Sequence, residues 1–257
     1  MGFQCKQFYL KDDQCAMKVG TDSLLLGAWV NAGALQRANR VLDIGCGCGV
    51  LALMLAQRTA GAESPVHIDA VELDSAAAGQ AQENADASAW SDRIGVVNDD
   101  VLHWRRWSAP GSYDVLISNP PYFAGDFPSP NRQRELARHQ RSLTLANLVT
   151  AAAALAAPNA VFALVLPASC QQQLLALMQA KGFALQRLCL VKPVPDAAAK
   201  LMLCEFVFTE QQVTSVHQEL TIATGETTAN GIKKSAGAHY TSAFKALTCD
   251  FYLGRGW

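Results

Sequence analysis

Val41-Leu42-Asp43-Ile44-Gly45-Cys46-Gly47-Cys48-Gly49-Val50 passes from an apolar β-type run, through three alternating glycines, into the helix-type run of residues 50–58. Glycines at such a junction let the backbone turn sharply and open main-chain N–H groups to a ligand, with no Cβ in the way. Dinucleotide-binding chains place Gly-x-Gly-x-x-Gly at this point, whereas here the third glycine arrives one residue sooner. Asp43 also stands two residues ahead of the first glycine. Its carboxylate would repel a pyrophosphate and attract an ammonium, directly or through water. The pattern therefore favours the methionine moiety of S-adenosylmethionine over a nicotinamide dinucleotide, with Asp43, Gly45, Gly47 and Gly49 as candidates for holding it.

Outward from this loop, β-type and helix-type runs alternate. Residues 66–72, 94–98, 113–118 and 161–166 read as strands, and 75–87, 143–157 and 169–181 as helices. Such alternation implies βαβ units and a mainly parallel sheet. The last two runs, 185–191 and 201–208, leave no room for a crossover helix and must form an antiparallel pair. The expected fold is α/β, a Rossmann-like doubly wound sheet of about seven strands, mostly parallel, with one reversed strand near the C-terminus. Residues 1–257 are expected to form a single domain with 1–35 and 209–257 as appendages. The stretch 209–237 is polar and predicts no element of its own.

Two further strand ends carry acids. Glu72 ends the second strand, where a carboxylate can accept from both hydroxyls of a ribose, and Asp74 could substitute. Asp99 and Asp100 end the third, where one carboxylate can accept an adenine amino group. Asp100 is preferred because it adjoins the Val101-Leu102 turn, although Asp99 is only one residue away.

The fourth strand runs into Ser118-Asn119-Pro120-Pro121-Tyr122. Residues before proline are held extended, and two prolines in succession make a stiff turn that fixes where carbonyls and side chains point. Chemistry that needs such stiffness is methylation of a planar amino nitrogen, whose lone pair is delocalised and whose charge grows positive during attack. The Asn119 side-chain oxygen and the Pro120 carbonyl can each accept one N–H of that group, while Tyr122 can stack on the flat acceptor. Asn119 is neutral and cannot serve as a base, so catalysis would rest on alignment. Asn119, Pro120 and Tyr122 are the catalytic candidates, and Asn119 is also a candidate for contact with the cofactor. The histidines at 67, 103, 139, 217 and 239 are dispersed, and neither a Ser/His/Asp relay nor a metal constellation is visible.

The bulk properties suit one globular α/β domain and narrow its setting. With 257 residues, 50% of them hydrophobic, the chain can bury a sizeable core. A net charge of -1 means that any nucleic acid site must be a local basic patch. The eight scattered cysteines form no Cys-x-x-Cys pair and read as reduced, mostly buried thiols. No secretory signal or membrane-spanning run is evident, so a cytoplasmic protein without an obligate protein partner is expected.

These residues resemble the class I methyltransferases that carry Asn-Pro-Pro-Tyr, whose members modify adenine or guanine amino groups in nucleic acids or a glutamine amide in release factors. Residues 3–8 followed by 16–29, the run Arg132-Gln133-Arg134-Glu135-Leu136-Ala137-Arg138, and residues 240–253 are further similar to bacterial tRNA adenine-N(6) methyltransferases acting on adenine-37 of a valine tRNA. That resemblance implies tRNA as partner, S-adenosyl-L-methionine as methyl donor and S-adenosyl-L-homocysteine as product. It also implies that Thr21 and Asp22 lie near the methionine end of the cofactor. The candidate RNA contacts are Lys18, Pro121, Arg132, Arg134, Arg138, Arg141, Lys233, Lys234 and Lys245. An adenine target would be turned out of its loop to reach Tyr122. Guanine and glutamine acceptors, and a noncatalytic RNA-binding protein on the same fold, remain the alternatives.

Overall fold

The computed structural model describes residues 2–107, 109–121, 143–225 and 239–253. A short hairpin, β1 (Gly2–Gln4) and β2 (Tyr9–Lys11), leads into helices α1 (Thr21–Trp29) and α2 (Ala32–Arg37). The repeating part then runs β3 (Arg40–Ile44), α3 (Val50–Arg58), β4 (His67–Glu72), α4 (Ser75–Asp86), β5 (Ile94–Asn98), α5 (Val101–Trp107) and β6 (Tyr113–Ser118). It continues with α6 (Leu145–Leu155), β7 (Ala156–Pro167), α7 (Gln171–Gln179), β8 (Phe183–Lys192), β9 (Leu201–Phe208), β10 (Val216–Thr221) and α8 (Ser242–Thr248).

Eight strands form one sheet in the order β10-β8-β9-β7-β6-β3-β4-β5. β9 is the reversed strand, antiparallel to both β7 and β8, and every other pairing in this sheet is parallel. The expected antiparallel pair is thus β8 and β9, with β9 inserted between β8 and β7. The sheet exceeds the expected seven strands by β10, which lies in the polar stretch that predicted no element. β10 binds the outer edge of β8, and only Leu220 of its six residues is buried. A strand paired on one side and open to solvent shows little hydrophobic alternation.

Burial explains the rest. β6 is covered on both faces, with Val115, Leu116 and Ile117 fully buried, so its sequence is a continuous apolar run. One core, holding Leu25, Met54, Val41, Val115 and Phe244, fills the face covered by α1 and α3. A second, holding Leu42, Leu116, Phe162, Leu148 and Phe206, fills the face covered by α6 and α7. Glu205 of β9 is buried against α1, paired with Arg187 of β8 at 2.9 Å, and also accepts from the Asn31 N–H at 2.6 Å.

From β3 the chain steps outward to β4 and β5 on one side, and from β6 to β7 on the other. The carboxyl ends of β3 and β6 therefore flank a topological switch point, where open α/β sheets bind ligands. Ser118 fastens those two ends together, its hydroxyl donating to the Ile44 carbonyl at 2.7 Å.

Candidate active site

A cavity of about 670 Å³ opens at this switch point. Its wall takes Gly45, Cys46, Gly47 and Cys48 from the loop after β3, Glu72, Leu73 and Asp74 from the end of β4, Asp99 to Leu102 after β5, and Asn119 and Pro121 after β6. Three strand ends and the glycine loop, all selected from the sequence, thus meet on one concave surface.

The loop has the shape its glycines allow. Gly45, Gly47 and Gly49 have φ of 70°, 55° and 82°, a left-handed backbone that costs an L side chain roughly 1–2 kcal/mol. Among the described residues, a Cβ at Gly45 or Gly47 would meet nothing within 4 Å beyond its own chain neighbours, so these two residues border open space. Gly49 lies instead against Ala81 of α4, where a Cβ would sit 3.4 Å from the Ala81 side chain. It does not line the cavity, and it caps the start of α3.

Asp43 is entirely buried. Its Oδ2 accepts from the Ala52 N–H at 3.2 Å, inside the first turn of α3, while Oδ1 has no hydrogen-bond partner among the described residues. Burial pushes its pKa up to about 7, with the neighbouring Glu72 adding to the rise. Asp43 therefore stands behind the glycine loop and does not line the cavity. Of the two modes considered for it, direct contact and contact through water, this geometry favours the second.

Glu72 faces the cavity from the opposite side of the loop. Its Oε2 accepts from the Gly47 N–H and its Oε1 from the Asp74 N–H, both at 2.9 Å. Asp74 itself accepts from Ala77 and caps α4, which accounts for that acid locally. Asp100 caps α5 through the Leu102 N–H at 2.8 Å, and Asp99 accepts from the Asp100 N–H at 2.7 Å. Both residues reach the cavity wall.

Asn119 emerges from β6 with its amide nitrogen donating to the Ser23 hydroxyl at 2.8 Å. Ser23 lies in the first turn of α1, is nearly buried and also lines the cavity. A smaller cleft of about 70 Å³ adjoins, lined by Met17, Lys18, Gly20, Asp22, Asn119 and Pro120. Asn119 borders both spaces, together with Met17 and Lys18. Thr21 lines neither, and its side chain is hydrogen-bonded to Tyr252. The nearness to the cofactor implied for it by resemblance is not seen in the cavity wall, whereas its neighbour Asp22 lines the smaller cleft.

The entry segment is sewn to this site by two buried amides that sequence reasoning passed over. Asn84 of α4 accepts from the Lys11 N–H at 2.8 Å and donates both to the Lys11 carbonyl and to the Cys48 carbonyl in the glycine loop. Gln80, one turn away, accepts from the Gln14 N–H at 3.0 Å. Lys18 donates to the Asp12 carbonyl at 2.6 Å while remaining largely exposed at the cavity mouth. Tyr122, Arg132, Arg134, Arg138, Arg141, Lys233 and Lys234 lie outside the described residues. Lys245 is placed in α8.

A doubly wound sheet with one reversed strand, a glycine loop at its switch point and acids on the next two strand ends defines a class I S-adenosylmethionine-dependent methyltransferase. The sheet alone is shared with a predicted O-methyltransferase from Agrobacterium tumefaciens, at a TM-score of 0.66 and 18% identity over 90% of this chain and 96% of that one. A SAM-dependent methyltransferase from Aquifex aeolicus superposes with a TM-score of 0.52 and 11% identity, covering 74% of this chain and 94% of that one. The profile of the methyltransferase small domain family matches residues 16–147. Closer relatives match almost end to end: a protein of Tolumonas auensis is 42% identical over 98% of this chain and 96% of its own length. One from Pectobacterium carotovorum is 40% identical over 98% and 94%, and one from Bacteroides thetaiotaomicron is 39% identical over 98% and 97%. All three are named tRNA1(Val) (adenine(37)-N6)-methyltransferase, and the chain belongs to this family.

Proposed function

We propose that this chain transfers a methyl group from S-adenosyl-L-methionine to the N6 amino group of adenine-37 in a valine tRNA. The acceptor follows from the names of its full-length relatives. The observation that carries the chemistry is the position of Asn119, on the wall between the large cavity of the glycine loop and the small cleft beside Pro120.

The residues present suit the donor. An orphaned, buried carboxylate oxygen on Asp43 lies behind a loop whose Gly45 and Gly47 border open space, which fits a ligand carrying an ammonium. Glu72 would hold the ribose and Asp100 the adenine, each keeping or exchanging the main-chain N–H it now accepts. Bound there, the cofactor supplies an electrophilic methyl on a sulfonium. The acceptor amino group would lie in the cleft, one N–H on Asn119 Oδ1 and the other on the Pro120 carbonyl. Those two acceptors favour the pyramidal, positively charging nitrogen over its planar ground state. Neither removes the proton, which leaves to water after transfer. Tyr122 is the proposed stacking plane. Pro121, Lys18 and the basic residues Arg132, Arg134, Arg138, Lys233 and Lys234 are the proposed RNA contacts, in a cytoplasmic enzyme that needs no metal.

The test is incubation of purified protein with methyl-labelled cofactor and transcribed valine tRNA, followed by nucleoside digestion. Label in N6-methyladenosine from position 37 is expected, and loss of turnover in Asn119→Ala with cofactor affinity kept. Label in guanosine, or in release factor alone, would replace the acceptor. Absence of any cofactor binding would leave a noncatalytic RNA-binding protein.

A further inference from the structure

We infer that Ser23 is a positioning residue for methyl transfer, selecting which end of the Asn119 amide meets the acceptor; this rests on the reading of Asn119 given above. The two ends of an asparagine amide are nearly the same shape and opposite in function. With Oδ1 toward the acceptor, an amino N–H meets a carbonyl. With Nδ2 toward it, N–H meets N–H, and the nitrogen cannot be aligned. Pro120 constrains the backbone of Asn119 but not the rotation of its side chain about the last bond.

Ser23 meets that need from another element. Its hydroxyl takes the Asn119 Nδ2–H at 2.8 Å, and it is only 8% exposed, so bulk water is a poor substitute. A hydroxyl can bond either end of the amide, but only one orientation gives an unbroken chain once the acceptor is present: amino N–H to Oδ1, then Nδ2–H to Ser23. In that chain, positive charge growing on the acceptor nitrogen draws electron density toward Oδ1 and makes Nδ2–H a better donor. The Ser23 bond therefore strengthens as the reaction proceeds, and its contribution belongs to kcat more than to binding. The residue is held in place by the packing of α1 on α3, where Gly27 lies against the buried Met54 side chain.

The test is a double-mutant cycle on tRNA methylation with Ser23→Ala and Asn119→Ala, read by single-turnover incubation with excess enzyme so that slow variants give rates. Ser23→Ala should lower the rate about tenfold, the size of one buried hydrogen bond. Ser23→Thr should restore most of it, and cofactor Kd should stay within about twofold by calorimetry. In the Asn119→Ala background, Ser23→Ala should have no further effect. A Ser23→Ala enzyme as fast as the parent overturns the inference, and so does an equal loss in both backgrounds or a parallel loss of cofactor affinity. If Asn119→Ala itself turns over normally, the reading of Asn119 fails first and this inference with it.

Discussion

Asp43→Asn should make the protein more stable at pH 8 relative to the parent than it does at pH 4.5, because the carboxylate it removes is buried without a full set of partners. Folding moves the Asp43 pKa from 3.8 to about 7, with burial as the main cause. The sign follows from proton counting. Between those two values the folded state binds the proton and the unfolded state does not, so stability falls as pH rises and the loss is complete above about 7. Across pH 4.5 to 7 that is about 2.5 units, or about 3 kcal/mol at 1.36 kcal/mol per unit. The constant cost of exchanging one buried polar atom for another cancels when the comparison is made across pH. Urea denaturation of parent and variant at several pH values measures it. The same carboxylate links protonation to the cofactor: an ammonium bound near it would favour the ionised form, so affinity should rise by up to tenfold per unit from pH 5.5 to 7 and then level off. In Asp43→Asn that slope should vanish. A stability difference between the two proteins that does not vary with pH would refute the argument, since it would mean the side chain is solvated.

Three other outcomes are expected. Gly47→Ala should cost about 1–2 kcal/mol of stability from its φ of 55°, and should weaken S-adenosylmethionine binding in calorimetry by more than that strain alone, since its added methyl faces the open side of the loop. Arg187→Ala should destabilise by about 3 kcal/mol in thermal or urea unfolding, because it leaves Glu205 buried without its cation; pairing it with Glu205→Gln should recover part of the loss. Binding of tRNA should weaken steeply with salt, the slope of log K against log salt giving the number of phosphates neutralised, and Lys18→Ala should shallow that slope by about one.

Residues 40–118 were legible because each β-run there ends in a residue that chemistry constrains: glycines after β3, an acid after β4, acids after β5 and Asn-Pro-Pro after β6. The strands at 94–98, 113–118 and 201–208 and the helix at 50–58 have the bounds read from the sequence. At 156–157 two alanines read as the end of a helix, but Ala156 already pairs with Tyr113 and begins β7. There tertiary pairing overrides helical propensity, and Asn159, with a φ of 64°, lies just before the register settles at Val161. β10 carried no signal because four of its six residues face solvent. The lining of the cavity was legible where backbone and chemistry coincide, at Gly45, Gly47, Glu72 and Asn119. Ser23 was not, since a serine inside Thr21-Asp22-Ser23-Leu24-Leu25-Leu26 gains its role only when α1 folds against a strand end 96 positions away. Asn84 and Gln80 were hidden for the same reason: α4 has to be in place before their amides meet the entry segment.

The bracing of α1 has a bearing on when the enzyme can work. Thr21 is hydrogen-bonded to Tyr252, Tyr240 stacks on Phe244 at 4.5 Å, and α8 packs on α1. On a ribosome, the helix that bears Ser23 would emerge more than two hundred codons ahead of the aromatic side chains that steady it. A nascent chain could thus gather most of its sheet before the aromatic side chains of residues 240–252 arrive, and until then the Asn119 amide would lack a braced partner in Ser23.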